Sequence, residues 1–519
     1  MQTLIANTGL QFFRKRLSID FQNVREKLYF IEEFNMSTYT LTLDLVHYFA
    51  NDGVYVRKRD LWLNGFMPKG VVETTWEKIR QQTSDIMSLP EDNVFSVSVN
   101  TLMKNQEALL KKFENVWLPC PYFEYNHANK LEVHPYNWSR MQIVPAGEDE
   151  NGKALWDLVF AFDTKTVYDN GNYSDDYQET PVFSSMVDDP KRFGFCGNEL
   201  DLMNFCAADN QKSNWIDSYL MKLVHNTHDI NNVKDSKRHT YLAAYIYLMH
   251  IIQKNGALDE VRLFRDQNVD EIKHVDLVVD MGNSKTTALL VEGSDFTKTR
   301  MLQLNNFTNP TQVSEESFDM NLVFQRANLG DVELQGSSQF SYPSFIRLGE
   351  EAKYLIYNAK NDLLSNERLS VCSSPKRYLW DARERKNEWE YILLNSEDNA
   401  LQSPEPIWID GISNQINNDG SISEVDTKGA LSKYSRRSLM TFSFLEILSQ
   451  AQIQINSHAF RTQMGNASLP RMLGRIIITC PTAMSRVEQI SLRKAVEEAY
   501  VLLERYNMRS IGASENYDS

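Results

Sequence analysis

Residues 274–293 read HVDLVVDMGNSKTTALLVEG, and this stretch decides the fold. Two short apolar runs, at residues 275–279 and 288–291, lie on either side of a polar turn that contains one glycine. The first run predicts a buried central strand, and the whole stretch predicts a β-hairpin. A third strand is predicted at residues 300–304. The sheet of the C-terminal half is therefore expected to grow outward from this hairpin.

The turn of the hairpin carries residue types suited to a phosphate and its cation. A carboxylate at the end of a buried strand is costly unless it binds something, commonly a hydrated metal ion, and Asp280 is such a group. Gly282 permits a tight turn that brings backbone N–H groups close to an anion. The further donors predicted at this phosphate cradle are Asn283, Ser284, Lys285 and Thr286. A plain hairpin turn uses the same residue types, so the turn alone leaves both interpretations open.

Downstream of the hairpin, the pattern alternates between polar and strongly periodic stretches. Residues 305–436 are rich in Asn, Ser, Asp and Gly, which predicts an insertion with limited structure of its own. Apolar residues on one stripe predict a helix at residues 438–455. Residues 476–479 predict a buried strand that Pro481 ends. Ser485 and Glu488 form a capping-box pattern at the start of a further helix, and a last short strand is predicted from Met508.

The first 270 residues predict a separate domain of mixed α and β structure. A turn is predicted at residues 7–9, and a hairpin joins residues 141–146 to 155–162. Helices are predicted at residues 75–87, 101–113, 215–225 and 239–254. No catalytic motif stands in this half, and its histidines favour structural or surface roles. The predicted division is therefore residues 1–270 and 271–519.

Composition excludes several classes of function. The 519 residues carry a net charge of −15, which disfavours broad binding to nucleic acid or to anionic lipid. The five cysteines form no CxxC pair, which is typical of a reducing compartment. No apolar stretch reaches the ~20 residues that a membrane-spanning helix needs. We therefore expect a cytoplasmic protein without membrane insertion.

Four segments resemble the actin, Hsp70 and hexokinase superfamily. DMGNSKTT at residues 280–287 resembles its first phosphate-binding motif. SYPSFIRLGEEA at 341–352, SSPKRYLWD at 373–381 and IIITCPTAMSRVEQISLRKAVEEA at 476–499 follow in the order found in Hsp70. The resemblance implies that residues 271–519 form a ribonuclease-H-like first lobe of an actin/Hsp70-type ATPase, with ATP and magnesium as cofactors.

The resemblance also implies roles for single residues. It assigns Asp280 to the water shell of magnesium, and it places Gly282, Asn283 and Ser284 at phosphate contacts. Lys376 matches the lysine that positions the γ-phosphate and the attacking water, although a solvated lysine beside Arg377 is the plainer interpretation. Pro481 matches the proline that acts as a switch and relays nucleotide state across the lobe.

A second resemblance covers most of the chain. TLIANTGLQFF at residues 3–13, together with LVVDMGNSKTTALLVE at 277–292, resembles the bacterial virulence-factor SrfB family. The implied partners are other proteins of the same bacterial system. The second ATPase lobe is not expected in this chain, since no Gly-Gly pair occurs in it. We therefore expect an N-terminal portion that is inactive alone and that associates through an open lobe edge.

Three functions remain open at this point. The first is an ATP-binding and ATP-hydrolysing molecular switch, in which water attacks the γ-phosphate and the lobes close. The second is a non-catalytic interaction scaffold that retains the fold. A small-molecule kinase is the third, and it is weaker because the lysine segment suits water as the phosphoryl acceptor.

Overall fold

The computed structural model describes most of the chain. The described residues are 1–36, 40–50, 53–63, 89–103, 108–125, 137–169, 181–184, 190–196, 198–206, 215–227, 229–234, 237–256, 258–264, 271–293, 295–330, 340, 342–361, 371–385, 390–391, 405–406, 409, 411–423 and 433–509. Several sheets and helices make up a mixed α/β architecture, which confirms that part of the sequence prediction.

The described residues of the first half form three four-stranded sheets, one two-stranded sheet of β11 and β12, and six short or medium helices. Their strands are β1 (Gln2–Ile5), β2 (Leu10–Ile19), β3 (Leu28–Asn35), β4 (Thr40–Phe49), β5 (Val54–Arg57), β6 (Val94–Val97), β7 (Trp117–Pro119), β8 (Tyr122–Glu124), β9 (Ser139–Glu148), β10 (Ala154–Asp163), β11 (Val167–Asp169), β12 (Val182–Ser184), β13 (Lys191–Phe195) and β14 (Val261–Phe264). Their helices are α1 (Lys58–Leu63), α2 (Val99–Met103), α3 (Leu109–Phe113), α4 (Glu199–Cys206), α5 (Trp215–His225) and α6 (Thr240–Asn255).

Helix α6 lies in the core between these sheets. All of its side chains from Tyr241 to Ile252 are buried, because the helix is apolar on every side. The sheets have the orders β1-β14-β13-β8, β2-β10-β9-β7 and β5-β4-β3-β6. The predictions of α5, α6 and the β9–β10 hairpin are confirmed. The helix predicted at residues 75–87 lies outside the described residues.

The second half is built around one mixed sheet. Its described strands are β15 (Lys273–Met281), β16 (Lys285–Glu292), β17 (Thr299–Met301), β18 (Leu304–Asn305), β19 (Val313–Ser314), β20 (Phe318–Asp319), β21 (Asn321–Phe324), β22 (Ile346–Arg347), β23 (Val371–Ser373), β24 (Glu390–Tyr391), β25 (Glu405–Pro406) and β26 (Arg471–Ile478). The helices are α7 (Gly349–Asn361), α8 (Ser438–Asn456), α9 (His458–Gln463) and α10 (Arg486–Arg509).

The main sheet has the order β17-β16-β15-β26, so the predicted hairpin lies at its centre. Strand β15 pairs antiparallel with β16 and parallel with β26. A parallel pair needs a crossover connection, and the chain makes it through residues 282–470, which include β16 and α8. Helices α8 and α10 cover one face of the sheet, and their apolar stripes form a single core with β15 and β16.

Helix α10 begins at the predicted capping box. Ser485 N–H donates to Glu488 Oε2 at 3.0 Å, and Glu488 N–H donates back to Ser485 Oγ at 3.3 Å. The reciprocal bonds satisfy N–H groups that the first turn cannot pair internally. The strand predicted from Met508 is wrong, because the helix continues to Arg509. Its buried stripe extends through Leu502 and Tyr506, so the core carries the helix beyond the predicted end.

Residues 305–436 contain more regular structure than their composition indicates. In the described part of this stretch, β21 pairs with both β22 and β23, and α7 packs against β21. Among the helices of the described residues, none is both long and apolar enough to cross a membrane.

The two halves pack directly against each other. The Arg461 guanidinium, which is fully buried, donates to the carbonyl oxygen of Thr3. Arg14 Nη2 donates to Asn305 Oδ1 at 3.1 Å. A small apolar cluster contains residues of both halves, among them Leu10 and Ile453. The first strands are therefore part of the same packed body as α8 and α9.

A buried ion pair holds the polar stretch to helix α8. Arg347 Nη1 lies 3.3 Å from Glu446 Oε1, and both side chains are buried. The Arg347 guanidinium also donates to the Ser344 carbonyl at 2.8 Å and lies 4.9 Å from the ring centroid of Phe307. Gln450 Nε2 donates to Glu446 Oε1 at 2.9 Å. The Arg347 cation and Glu446 Oε1 thus have several partners, whereas Glu446 Oε2 is buried without one among the described residues, so the carboxylate depends on Arg347 for its compensation.

We predict that Arg347→Met lowers the free energy of unfolding by about 3–5 kcal/mol, since it leaves the Glu446 carboxylate buried without its cation. Urea denaturation measures the change. Arg493→Met is the control, because it breaks an ion pair whose two side chains, Arg493 and Glu497, are both exposed, and it should cost at most about 1 kcal/mol. The double variant Arg347→Met with Glu446→Leu should recover part of the loss. Equal losses for the two arginine variants would contradict the prediction.

Candidate functional site

The alternation of β15 places one carboxylate at the open end of the hairpin. Val275, Leu277, Val279 and Met281 are fully buried against α8 and α10. Successive side chains of a strand point to opposite faces, so Asp276 and Asp280 lie on the other face. Asp280 is exposed and stands one residue before the strand ends. The predicted cation ligand is therefore accessible.

Asp276 and Asp280 share this face but differ in their partners. The Arg475 guanidinium donates to both oxygens of Asp276, and this hydrogen bonding holds the pKa of that carboxyl below its usual value. Asp280 has no cationic side chain within 4.0 Å among the described residues. One carboxylate is thus paired with a cation inside the fold, whereas the other is exposed and lacks such a partner among the described residues.

The tip of the hairpin presents backbone donors beside Asp280. The N–H group of Gly282 closes the turn by donating to the Lys285 carbonyl at 2.9 Å. Asn283 and Ser284 are exposed, and their N–H groups make no hydrogen bond to another described residue. Such N–H groups at a tight turn can bind an anion. The Ser284 carbonyl accepts the Met320 N–H at 2.9 Å, which fixes the turn from behind.

Lys376 reaches the same tip from a distant segment. Ser374 donates its N–H to the Met320 carbonyl at 3.0 Å, and its backbone is left-handed with φ 55°. This strained conformation, which is rare for residues with a side chain, starts the 3₁₀ turn Pro375–Tyr378. Lys376 Nζ donates to the Met281 carbonyl at 2.5 Å. The ammonium therefore lies next to the strand end that carries Asp280.

Lys376 is buried without a counter-ion. Its relative exposure is 8%, and no carboxylate of the described residues lies within 4.0 Å of its Nζ. An ammonium that is removed from water costs free energy unless an anion compensates it. One carbonyl oxygen satisfies one of its three donors. The site can therefore offer the remaining donors to an added anion.

The structure places the other predicted residues at different depths. Lys285 is exposed at the start of β16, beside the turn. Thr286 is fully buried on the core face, and its Oγ1 has no hydrogen-bond partner. Pro481 is exposed three residues beyond the end of β26. Asp280, Gly282, Asn283, Ser284 and Lys376 are thus brought together, whereas Thr286 faces the opposite side of the sheet.

Thr479 is the residue that sequence reasoning missed. Its Oγ1 donates to Asp280 Oδ1, and its backbone N–H donates to the Val279 carbonyl at 3.0 Å. The sequence contained a signal for this contact. Thr479 ends the strand predicted before Pro481, and Asp280 lies near the end of the strand predicted before Gly282. Parallel neighbours bring their carboxyl ends to one edge, so the two side chains could have been paired from the sequence.

These observations define a mixed α/β protein whose central hairpin brings an exposed carboxylate, free backbone donors and a buried ammonium together. A family model described as "Virulence factor SrfB" matches residues 1–516. The chain therefore belongs to the SrfB family, which confirms the resemblance noted in its sequence. No curated protein matches the chain.

We predict that Gly282→Ala disrupts the hairpin tip. A Cβ at this position would lie 2.5 Å from the Lys285 carbonyl oxygen, and backbone atoms cannot give way as a flexible side chain can. The expected loss is about 1–3 kcal/mol in the free energy of unfolding, by analogy with overpacked cores. Chemical denaturation measures it. Ser284→Ala, on the same turn but exposed, should change stability by less than ~0.5 kcal/mol. An unchanged stability for Gly282→Ala would show that the turn can relax.

Proposed function

We propose that this chain supplies the part of an ATP-binding and ATP-hydrolysing molecular switch that holds the phosphates and magnesium, at the hairpin tip. The observation that carries the proposal is the buried Lys376 ammonium, which has no carboxylate partner among the described residues. A phosphate group would supply the missing negative charge. Charge-assisted bonds from an ammonium and from backbone N–H groups are the usual means of holding a phosphate.

The donor set also fits magnesium. Mg²⁺ prefers oxygen ligands and commonly keeps several waters, so that one carboxylate and phosphate oxygens suffice for it. Asp280 offers such a carboxylate. The described residues contain no group of three or more His, Cys, Asp or Glu side chains that could hold a metal ion by themselves. The site therefore suits a cation that binds together with the phosphate. Bound magnesium would neutralise charge on the phosphate oxygens.

The arrangement of the sheet supports the finer fold proposal. The strands have the order β17-β16-β15-β26, with the first three antiparallel and the last parallel to the central strand. This order agrees with a ribonuclease-H-like first lobe of the actin/Hsp70 type. In that interpretation, Lys376 would stabilise negative charge on the phosphoryl oxygens during attack by water. Pro481, between β26 and α10, would carry the nucleotide state to the last helix.

Calorimetric titration of the 519-residue chain with magnesium-ATP tests the proposal. We expect weak binding by the wild type, because a site on one exposed face is only partly enclosed. Asp280→Asn and Lys376→Met should each weaken binding by about 10- to 100-fold, since each removes a charged partner of the ligand. Release of inorganic phosphate, measured in parallel, distinguishes hydrolysis from binding alone.

Matched controls keep this test specific. Asp276→Asn removes a carboxylate from the same strand and face, but one that Arg475 already neutralises. Lys353→Met removes an exposed ammonium that Asp319 and Glu350 already pair. Both controls should bind like the wild type. The proposal fails if the wild type binds no nucleotide at millimolar concentration, or if the controls lose as much affinity as the site variants.

A second candidate function is a non-catalytic interaction scaffold, and the edge of the sheet favours it. Strand β26 pairs with β15 on one side, and no described strand pairs with its other side. A groove of about 500 Å³ lies between this edge and α10. Its lining is mainly apolar and includes Ile476, Ile478, Leu492, Val496 and Tyr500. Unpaired strand edges are surfaces at which other chains can add a strand.

The partners proposed for this edge are other proteins of the same bacterial system. Ile477 is 43% exposed on β26, so Ile477→Lys should weaken association without unfolding the chain. Val487→Lys, on the exposed start of α10, is the control. Sedimentation of the purified chain, alone and with each co-encoded protein, measures association. Identical sedimentation of the wild type and Ile477→Lys in every mixture would contradict the proposal.

A further inference from the structure

Thr479 holds the end of β15 by two separate bonds. Its backbone N–H donates to the Val279 carbonyl at 3.0 Å, which extends the parallel ladder by one residue. Its side-chain Oγ1 donates to Asp280 Oδ1. Among the described residues, no other side chain forms a hydrogen bond or an ion pair with the Asp280 carboxylate. The orientation of that carboxylate therefore depends on one hydroxyl from the neighbouring strand.

The bond has a defined effect on Asp280. An exposed aspartate normally exchanges between rotamers, and a bond to one oxygen selects the rotamers that satisfy it. Threonine suits this role because its β-branched side chain has few χ1 states. With Oδ1 occupied by the hydroxyl, Oδ2 remains for another ligand. A carboxylate that is already oriented loses less entropy when it binds that ligand.

We propose that Thr479 is a positioning residue for Asp280 and that it sets how strongly magnesium supports nucleotide binding. The inference rests on the proposed function, because it gives Asp280 the magnesium role argued above. Thr479 acts through the carboxylate and supplies no bond to nucleotide. A purely structural role is the alternative, since the same residue directly follows β26 and precedes Cys480 and Pro481.

The two roles make different predictions for an isosteric variant. Thr479→Val keeps the β-branch and the backbone bond but removes the hydroxyl. If Thr479 positions Asp280, the variant requires about 3- to 10-fold more magnesium for half-maximal ATP binding, the range expected for loss of one hydrogen bond. Its ATP affinity in EDTA should equal that of the wild type, because no cation is then involved. Thr479→Ser, which retains the hydroxyl, should behave like the wild type.

The experiment is a magnesium titration at fixed ATP, followed by the binding of a fluorescent ATP analogue to the full chain. Asp280→Asn and the double variant Asp280→Asn with Thr479→Val complete a cycle. If Thr479 acts through Asp280, the second substitution adds no further loss to the first. Thermal unfolding of every variant checks that the chains remain folded.

Each outcome decides something. A wild type that binds no nucleotide removes the proposed function, and the role of Thr479 falls with it. A wild type that binds in a magnesium-dependent way, with a Thr479→Val variant that titrates identically, overturns the positioning role alone. Thr479 has a structural role if Thr479→Val also loses affinity in EDTA. The same conclusion follows if Thr479→Val unfolds and Thr479→Ser fails to bind normally. Only a magnesium-specific loss that serine restores supports the proposal.

Discussion

Side chains alternate between two faces along strand β15, and this alternation decides which residues of the candidate site are accessible. Every second side chain from Val275 to Met281 is fully buried against α8 and α10. This burial fixes the register of β15. A shift by one residue would turn Asp276 and Asp280 into the apolar core and expose the core residues. The accessible charge at Asp280 therefore follows from the packing on the opposite face. Because each core side chain contributes about 1.5–3 kcal/mol by burial, the register is held far more firmly than any single site contact could hold it.

The candidate site depends on backbone bonds between distant segments. The turn at Ser284 is tied to Met320, and Met320 is tied to Ser374, which begins the turn that carries Lys376. Thr479 reaches the same place along β26. Segments separated by about 200 residues thus meet within one network. Main-chain bonds suit this purpose, since their geometry does not depend on flexible side chains. The strained backbone of Ser374 is tolerated because the flanking bonds over-determine it.

Sequence reasoning succeeded where a local pattern was sufficient. The hairpin at residues 275–291, helices α8 and α10, and the capping box at Ser485 each follow from periodicity or from spacing within a few residues. It failed where tertiary packing decided the outcome. The strand predicted from Met508 is helix, because the buried stripe of α10 continues to Tyr506. The burial of Thr286 follows from its facing Met281 across the hairpin, and the bond of Thr479 follows from strand pairing over 199 residues of sequence.

The contact between Thr3 and Arg461 has a consequence for how the chain reaches its native state. These residues are 458 positions apart, and the bond buries a guanidinium completely. Closing so long a loop costs conformational entropy, which is offset only when neighbouring contacts form as well. Contacts between residues so far apart in sequence therefore form late and slow folding. During synthesis, β1 precedes α9 along the chain and cannot complete its contacts until α9 has been made. The contact between Thr3 and Arg461 therefore forms only after the intervening residues have been synthesised.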